Sequence, residues 1–221
     1  MTKRIPLKDR VLPDYTRGEE IMNMVTHIAG GVLGVLVLVL CLLRADTVAE
    51  AVGAVVFGCT MIGLYTISSV YHGLKPSIGK KVMQVLDHCA IYCLISGTYT
   101  PVLLSAFLPV YPQQAWGLLA VQWGLCIIAI TLTAIDLHKY RVFSMACYVG
   151  MGWSIVVFLG KCIAVMTFPG FILLLSGGIV YTIGAVLYGL GGKRRWLHSV
   201  FHVFVVGGSL LQFLSVLLYA M

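Results

Sequence analysis

The sequence predicts an all-α membrane protein, a bundle of seven transmembrane helices with the N-terminus in the cytoplasm and the C-terminus outside. The 221 residues are 60% hydrophobic and only 10% charged, whereas a soluble domain carries about 25% charged residues. The apolar residues form seven long segments, and a membrane-spanning helix needs about 20 such residues. Basic residues gather in alternate connections between these segments, which gives the bundle a predicted orientation.

Charges, prolines and glycines delimit the seven segments. They run over residues 19–43, 49–73, 82–107, 114–136, 142–166, 170–190 and 196–219. Because the connections between them are short, we expect consecutive helices to be antiparallel neighbours in one bundle. Residues 1–18 are then a cytoplasmic N-terminal tail, and residues 19–221 are a single transmembrane domain.

The basic residues predict which side faces the cytoplasm. All but Arg44 and Lys161 of the 15 lysines and arginines lie in the tail or in the second, fourth and sixth connections. Lys and Arg beside membrane spans stay in the cytoplasm, so the tail and these connections are predicted to be cytoplasmic. A basic rim beside anionic headgroups also accounts for the net charge of +7, and no nucleic-acid partner is needed to explain it.

Ionisable and polar side chains inside the apolar segments are the strongest chemical signal, because they are costly in hydrocarbon and mark functional sites. They form four groups: Glu20, Asn23 and His27 in the first segment, Ser68 and His72 in the second, Asp87 and His88 in the third, and His198 and His202 in the seventh. Under the predicted topology all four groups lie within about 5 to 13 Å of the cytoplasmic boundary, at 1.5 Å per residue. One shared buried site explains this common depth better than four independent sites do.

The histidine spacing predicts a metal site. His198 and His202 are four residues apart, which lets two ring nitrogens on one helical face reach the same ion. A third histidine from another helix would complete a three-imidazole set with a fourth position open for water, as in catalytic zinc sites. The all-imidazole set favours zinc, with copper and iron as alternatives. The seven cysteines lie within or at the ends of apolar segments, where we interpret them as structural.

Taken in chain order, the four groups of polar residues named above resemble the signature of the hemolysin III family, the bacterial branch of the progestin and adipoQ receptor superfamily. The stretch from Asp87 to Pro101 resembles that branch in particular, and the similarity covers essentially the whole chain. The resemblance implies a bacterial inner-membrane protein with a cytoplasm-facing zinc held by His72, His198, His202 and a water. It also implies that Asp87 holds this water, with Ser68 beside it. His88 departs from the aromatic residue of the receptor relatives, so receptor signalling is the least transferable property.

The expected roles of these residues each have an alternative. Asp87 is the candidate general base, which would take a proton from the water that attacks an amide or ester carbonyl; alternatively it pairs with Lys80, Lys81 or a protonated His88. Ser68 either donates to the water or developing oxyanion, or bonds the backbone carbonyl one turn back. The remaining polar residues are candidates for supporting the metal ligands: Glu20, Asn23, His27 and His88. For Glu20, favourable interaction with the helix dipole is an equal alternative.

Three functions follow as hypotheses. The leading one is a zinc-dependent hydrolase of a membrane lipid amide or ester, similar to the alkaline ceramidases, with a membrane lipid as its substrate or ligand. The second is a non-catalytic regulator or sensor of membrane lipid state, in which zinc holds helices together. The third is the pore former that the haemolysin name suggests, which is disfavoured because no segment carries a polar stripe along its full length.

Overall fold

The computed structural model describes residues 6–190 and 194–221, and this part of the chain is helical apart from short connections. Six of its helices are long and apolar enough to cross a membrane. Three of the basic residues used to predict the orientation, Lys3, Arg4 and Lys193, lie outside the described residues. The all-helical membrane architecture predicted from composition is therefore confirmed.

The helices follow the predicted apolar segments closely. They are α1 (Arg17–Arg44), α2 (Val48–Gly73), α3 (Ile78–Pro101), α4 (Pro112–Ile135), α5 (Arg141–Trp153), α6 (Leu159–Leu190) and α7 (Leu197–Tyr219). A π-helical turn over Val102–Phe107 extends α3, and a 3₁₀ turn over Ser154–Phe158 joins α5 to α6. The fifth membrane-crossing helix is therefore one run of 50 residues, Arg141–Leu190.

This run folds back on itself at Thr167. The backbone there leaves the helical region, with φ 62° and ψ 166°, a conformation that is strained for a residue with a branched side chain. The indole Nε1 of Trp153 donates a hydrogen bond to Thr182 Oγ1 at 3.0 Å, although the two are 29 residues apart. A continuous helix would separate them by about 44 Å. The break lies in the short gap between predicted segments 142–166 and 170–190.

Side-chain caps fix where the first helices begin. Thr16 and Glu19 form a capping box at the start of α1, in which each side chain binds the other residue's backbone N–H. Thr47 and Glu50 do the same for α2, and Ser77 accepts from the Lys80 N–H at the start of α3. Such caps contribute about 1 kcal/mol each to stability. Because they fix where α1 and α3 begin, they also fix the positions of Glu20 and Asp87 along these helices.

The bundle brings the starts of α1 and α7 together at one end. The Glu19 carboxylate accepts from the Trp196 backbone N–H at 2.7 Å, and at the other end Arg44 Nη2 donates to the Met221 carbonyl at 3.3 Å. Helices α1 and α7 are therefore parallel, and the two ends of the described chain lie at opposite ends of the bundle.

Helix α3 is central and α1 packs tightly on α2. About 83% of the most apolar window of α3 is buried, against 28% for α1, so α1 presents most of its apolar surface outward, as a lipid-facing helix does. The α1–α2 contact depends on Gly58, where an added Cβ would lie 2.5 Å from Leu38 Cβ. This close approach places the end of α2, which carries His72, against the start of α1.

Candidate metal centre

Three histidines converge where α2 ends and α7 begins. The ring nitrogens that His72, His198 and His202 offer all lie within 4.8 Å of one another, and Nε2 of His198 is 3.1 Å from Nε2 of His202. Ligand nitrogens about 2.0 to 2.1 Å from a tetrahedral zinc are roughly 3.3 Å apart. The buried Nε2 of His72 has no hydrogen-bond partner among the described residues, so its lone pair is available to an ion. The group fits a metal ion bound by three imidazoles.

Glu20 and Lys80 fix the orientation of His72. Glu20 Oε2 lies 2.5 Å from His72 Nδ1, and its other oxygen accepts from Lys80 Nζ at 2.6 Å. Lys80 is buried and also donates to the Leu74 carbonyl at 2.9 Å. A carboxylate on Nδ1 holds the proton there and leaves Nε2 free as a ligand, which is the usual arrangement behind metal-binding histidines. Asn23 Nδ2 lies 3.4 Å from the same Nδ1.

His27 packs beside the three-histidine group without belonging to it. Its ring stacks on His202 with 3.8 Å between centroids and 23° between planes, and the edge of Tyr65 meets it at 5.0 Å. Both ring nitrogens of His27 are buried without a partner in the described part of the chain. The structure therefore places His27 against the ring of His202, where it restricts how that ring can turn.

Asp87 and Ser68 face the cavity next to His72. Both residues line the cavity, and the Asp87 carboxylate lies within interaction range of Ser68 and His72. The buried Ser68 Oγ makes no hydrogen bond of ordinary geometry, so its hydroxyl is not bonded to the carbonyl one turn back. Lys80, an expected alternative partner of Asp87, binds Glu20 instead.

His88 lines the same cavity, away from the three-histidine group. Its ring lies 6.3 Å from the Tyr188 ring, and Tyr188 in turn lies 5.5 Å from His198. The backbone carbonyl of His88 accepts from the Tyr148 hydroxyl at 2.9 Å. His88 thus borders the polar end of the cavity, separated from the three histidines by Tyr188.

An elongated cavity runs from the histidines into the bundle. Its volume is about 180 Å³, and on α7 its lining extends from His198 to Gln212, a distance of about 21 Å at 1.5 Å per residue. Beyond the polar end the walls are largely apolar and come from α3, α5, α6 and α7. Val149 and Val156 line the cavity and are each 41% exposed. The end of the cavity at the histidines is therefore suited to polar chemistry, and the remainder of the cavity is suited to holding a hydrocarbon chain.

Sequence reasoning missed several residues that touch this site. Tyr15 stacks on His198 with 4.8 Å between centroids and 14° between planes, and burial raises the pKa of its hydroxyl above the usual range, which keeps it neutral. Glu19 binds the backbone of Trp196, whose φ of 68° lies in the left-handed region. The capping-box pattern at Thr16 and Glu19 predicts the start of α1, but nothing in it indicates that Glu19 also holds the start of α7.

Comparison with known proteins identifies the family. The sequence profile described as "Haemolysin-III related" matches residues 15–213. The chain belongs to this family. The haemolysin-III-related chain is 37% identical to "Hemolysin-3" of Bacillus cereus over 206 residues, which are 92% of each protein. It is 34% identical to the "Hemolysin-3 homolog" of Bacillus subtilis (strain 168) over 208 residues, covering 93% of this chain and 96% of the relative.

More distant relatives occur in animals and plants. The human "Monocyte to macrophage differentiation factor" is 24% identical over 224 residues, covering 98% of this haemolysin-III-related chain and 90% of the relative. "Heptahelical transmembrane protein 5" of Arabidopsis thaliana is 26% identical over 151 residues, covering 60% of this chain and 40% of the relative. The family and the six membrane-crossing helices make the chain a multi-pass membrane protein, and its Bacillus relatives support the expected bacterial inner membrane.

Proposed function

We propose that this haemolysin-III-related protein is a zinc-dependent hydrolase of a membrane lipid amide or ester. The observation that carries the proposal is the position of the three-histidine group at the polar end of an apolar cavity, with Asp87 and Ser68 beside it. A purely structural metal needs neither an adjacent carboxylate nor a cavity. The cavity lining, which extends about 21 Å along α7 including its polar end, is longer than the roughly 15 Å that one leaflet's acyl chains occupy.

The proposal includes a topology of seven spans. The two arms that meet at Thr167 are the fifth and sixth spans, since each is long enough to cross the hydrocarbon separately and the Trp153–Thr182 bond holds them antiparallel. The histidine end of the bundle is cytoplasmic, because the basic connections lie at that end. The N-terminus is then in the cytoplasm and the C-terminus outside.

Zinc is the proposed ion because the three candidate ligands are all imidazole nitrogens of a buried group. A zinc ion held there would supply Lewis acidity, which lowers the pKa of water and polarises a carbonyl oxygen. His72, His198 and His202 would hold the ion, and Glu20 and Lys80 would keep His72 in its ligating tautomer.

The chain's own groups supply the proton transfers. Asp87 would accept the proton of the attacking water as the C–O bond forms, and would return it to the leaving amine or alcohol as the scissile bond breaks. The buried hydroxyl of Ser68 would donate to the carbonyl oxygen as negative charge develops on it. The apolar walls would hold the acyl chain so that its carbonyl lies at the polar end.

The test is Asp87→Asn in purified protein, with Asp46→Asn as the matched control because Asp46 is exposed near the opposite end of α1 and α2. Wild-type protein incubated with its own membrane lipids should release a free fatty acid, detected by lipid mass spectrometry. Asp87→Asn should retain zinc and lose this release, whereas Asp46→Asn should keep both. Undiminished release by Asp87→Asn would contradict the assigned role of Asp87, and no released lipid fragment from wild type would contradict the hydrolase.

A second function, a zinc-stabilised regulator of membrane state, is favoured by one specific observation. The ligands come from two helices, His72 from α2 and the other two from α7, so an ion would clamp these helices together whether or not chemistry follows. In that case zinc removal would lower the thermal stability strongly while Asp87→Asn left the cellular phenotype unchanged. The hydrolase predicts that the Asp87→Asn phenotype matches that of zinc-ligand variants.

A further inference from the structure

The N-terminal residues 6–16, here called the strap, cross the end of the bundle over the metal centre. At one side Arg10 is only 5% exposed and its Nη2 donates to the Ile135 carbonyl at the end of α4, at 3.3 Å. Lys81, at the start of α3, donates to the Lys8 carbonyl. At the other side the strap meets Arg195, just before α7. The strap thus extends from the ends of α3 and α4 to the start of α7.

Tyr15 is the strap residue that covers the ligands. Its ring stacks in parallel on His198 at 4.8 Å and lies 5.8 Å from the His72 ring. Tyr15 is not part of the cavity lining, although His198 is. The His198 ring therefore lies between the cavity and Tyr15. With the phenol ring removed, the ligands would be open to water from the side of the strap.

The contact that holds this part of the strap is weak. Arg195 Nη1 donates to the Asp14 backbone carbonyl at 2.9 Å, and its guanidinium lies 3.4 Å from the carboxylates of Asp14 and Glu19. The Arg195 and Asp14 side chains are 55% and 95% exposed. Exposed ion pairs of this kind contribute at most about 1 kcal/mol, so the end of the strap at Asp14 and Tyr15 can open while its contacts at Lys8 and Arg10 are kept.

We propose that the strap is a closed lid on the cytoplasmic side of the metal centre, with Tyr15 as the covering residue and Arg195 as its tether. While the lid is closed, the centre communicates with the lipid-facing cavity and is shielded from water-soluble ligands. Opening admits water-soluble molecules to His198 and His72. The lid regulates the same site as the proposed function, but it requires only that the centre binds an ion and not that it hydrolyses a lipid.

The test compares three variants with wild type in nanodiscs, where both sides of the protein are open to solution. Arg195→Ala removes the tether, Tyr15→Ala removes the covering ring, and Tyr15→Phe keeps the ring. Arg194→Ala is the matched control, because Arg194 is exposed and contacts no strap residue in the described part of the chain. Two rates are measured: loss of zinc to a water-soluble chelator, and oxidation of the ring at position 15 by hydroxyl radicals, read by mass spectrometry, which reports whether that ring is covered.

The proposal predicts a distinct pattern for each variant. Arg195→Ala should raise both rates up to about fivefold, the factor that corresponds to about 1 kcal/mol. Tyr15→Ala should raise zinc loss at least as much, whereas Tyr15→Phe and Arg194→Ala should match wild type. If Arg195→Ala speeds Tyr15 oxidation but not zinc loss, the strap does not cover the centre and the proposal is overturned. Unchanged Tyr15 oxidation in Arg195→Ala would equally overturn the assigned tether.

A metal-independent measurement separates this proposal from the function above. Modification of His198 by diethylpyrocarbonate, read by mass spectrometry, reports whether the ring is accessible even in protein that holds no metal. The lid predicts slow modification in wild type and Tyr15→Phe and fast modification in Tyr15→Ala. If the protein binds no zinc, the proposed hydrolase fails while this pattern still tests the lid; equal modification in all three proteins would refute the lid alone.

Discussion

Lys80 provides the sharpest test of how the metal centre is held. Its Nζ lies 2.6 Å from Glu20 Oε1, and the other oxygen of that carboxylate lies 2.5 Å from His72 Nδ1. At an effective dielectric constant of about 20, the gross attraction across the first contact is about 6 kcal/mol, and desolvation of the buried ammonium offsets most of it. In Lys80→Met, Glu20 loses its charge partner and is free to turn toward solvent, which leaves the His72 tautomer unfixed.

The expected effect of Lys80→Met is a loss of zinc affinity of about 10- to 100-fold, the cost usual for residues that orient metal ligands. Zinc competition with a chromogenic chelator in detergent measures it directly. Lys75→Met is the matched control, since Lys75 is an exposed lysine in the connection just before α3, and this variant should bind zinc as wild type does. Lys80→Arg, which keeps the charge, should recover part of the affinity. A folded Lys80→Met protein with wild-type zinc affinity would refute the reasoning.

Three further predictions follow from particular contacts. Ser68→Ala should lower the rate of lipid hydrolysis by about 10²-fold with zinc retained. Ser69→Ala should leave the rate unchanged, because the Ser69 hydroxyl donates to the Tyr65 carbonyl instead. Equal rates in the two variants would show that Ser68 takes no part in the chemistry. Gly58→Ala should lower the melting temperature in detergent by several degrees, because the new methyl overpacks the α1–α2 contact at a cost of about 1–3 kcal/mol. Gly63→Ala should leave the melting temperature unchanged, because the space around Gly63 is open. Acidification should release zinc, because only neutral imidazoles bind it; occupancy that is unchanged at low pH would argue against a three-histidine site.

The sequence was sufficient to predict the helices and the meeting of the polar groups. Long apolar segments in a membrane can satisfy their backbone hydrogen-bonding groups only as helices. Polar side chains in such helices are costly in hydrocarbon, so they are expected to pack together in a site inside the bundle. Glu20, Asn23 and His27 follow helical spacing, so α1 carries all three toward α2 and α7. The roles assigned to these residues stay predictions until the metal and the reaction are measured.

The residues that sequence reasoning missed lie outside the apolar segments or at their edges. Lys80 was counted as part of the basic cytoplasmic rim, because net charge carries no information about which lysine is buried against a carboxylate. Tyr15 was assigned to a tail, and only the path of the strap brings its ring onto His198. Glu19 caps α1 through a local bond with Thr16, whereas its second bond, accepted from the Trp196 N–H, depends on tertiary packing.

The most direct test of the central claim is the metal content of purified wild-type protein and of His202→Ala, measured by elemental analysis. His202 contributes one of three ligand nitrogens within 4.8 Å of one another, so its removal leaves too few ligands for tight binding. The account predicts about one zinc per chain in wild type and a small fraction of that in the variant. Zinc far below one per chain in wild type, or equal metal content in both proteins, would contradict it.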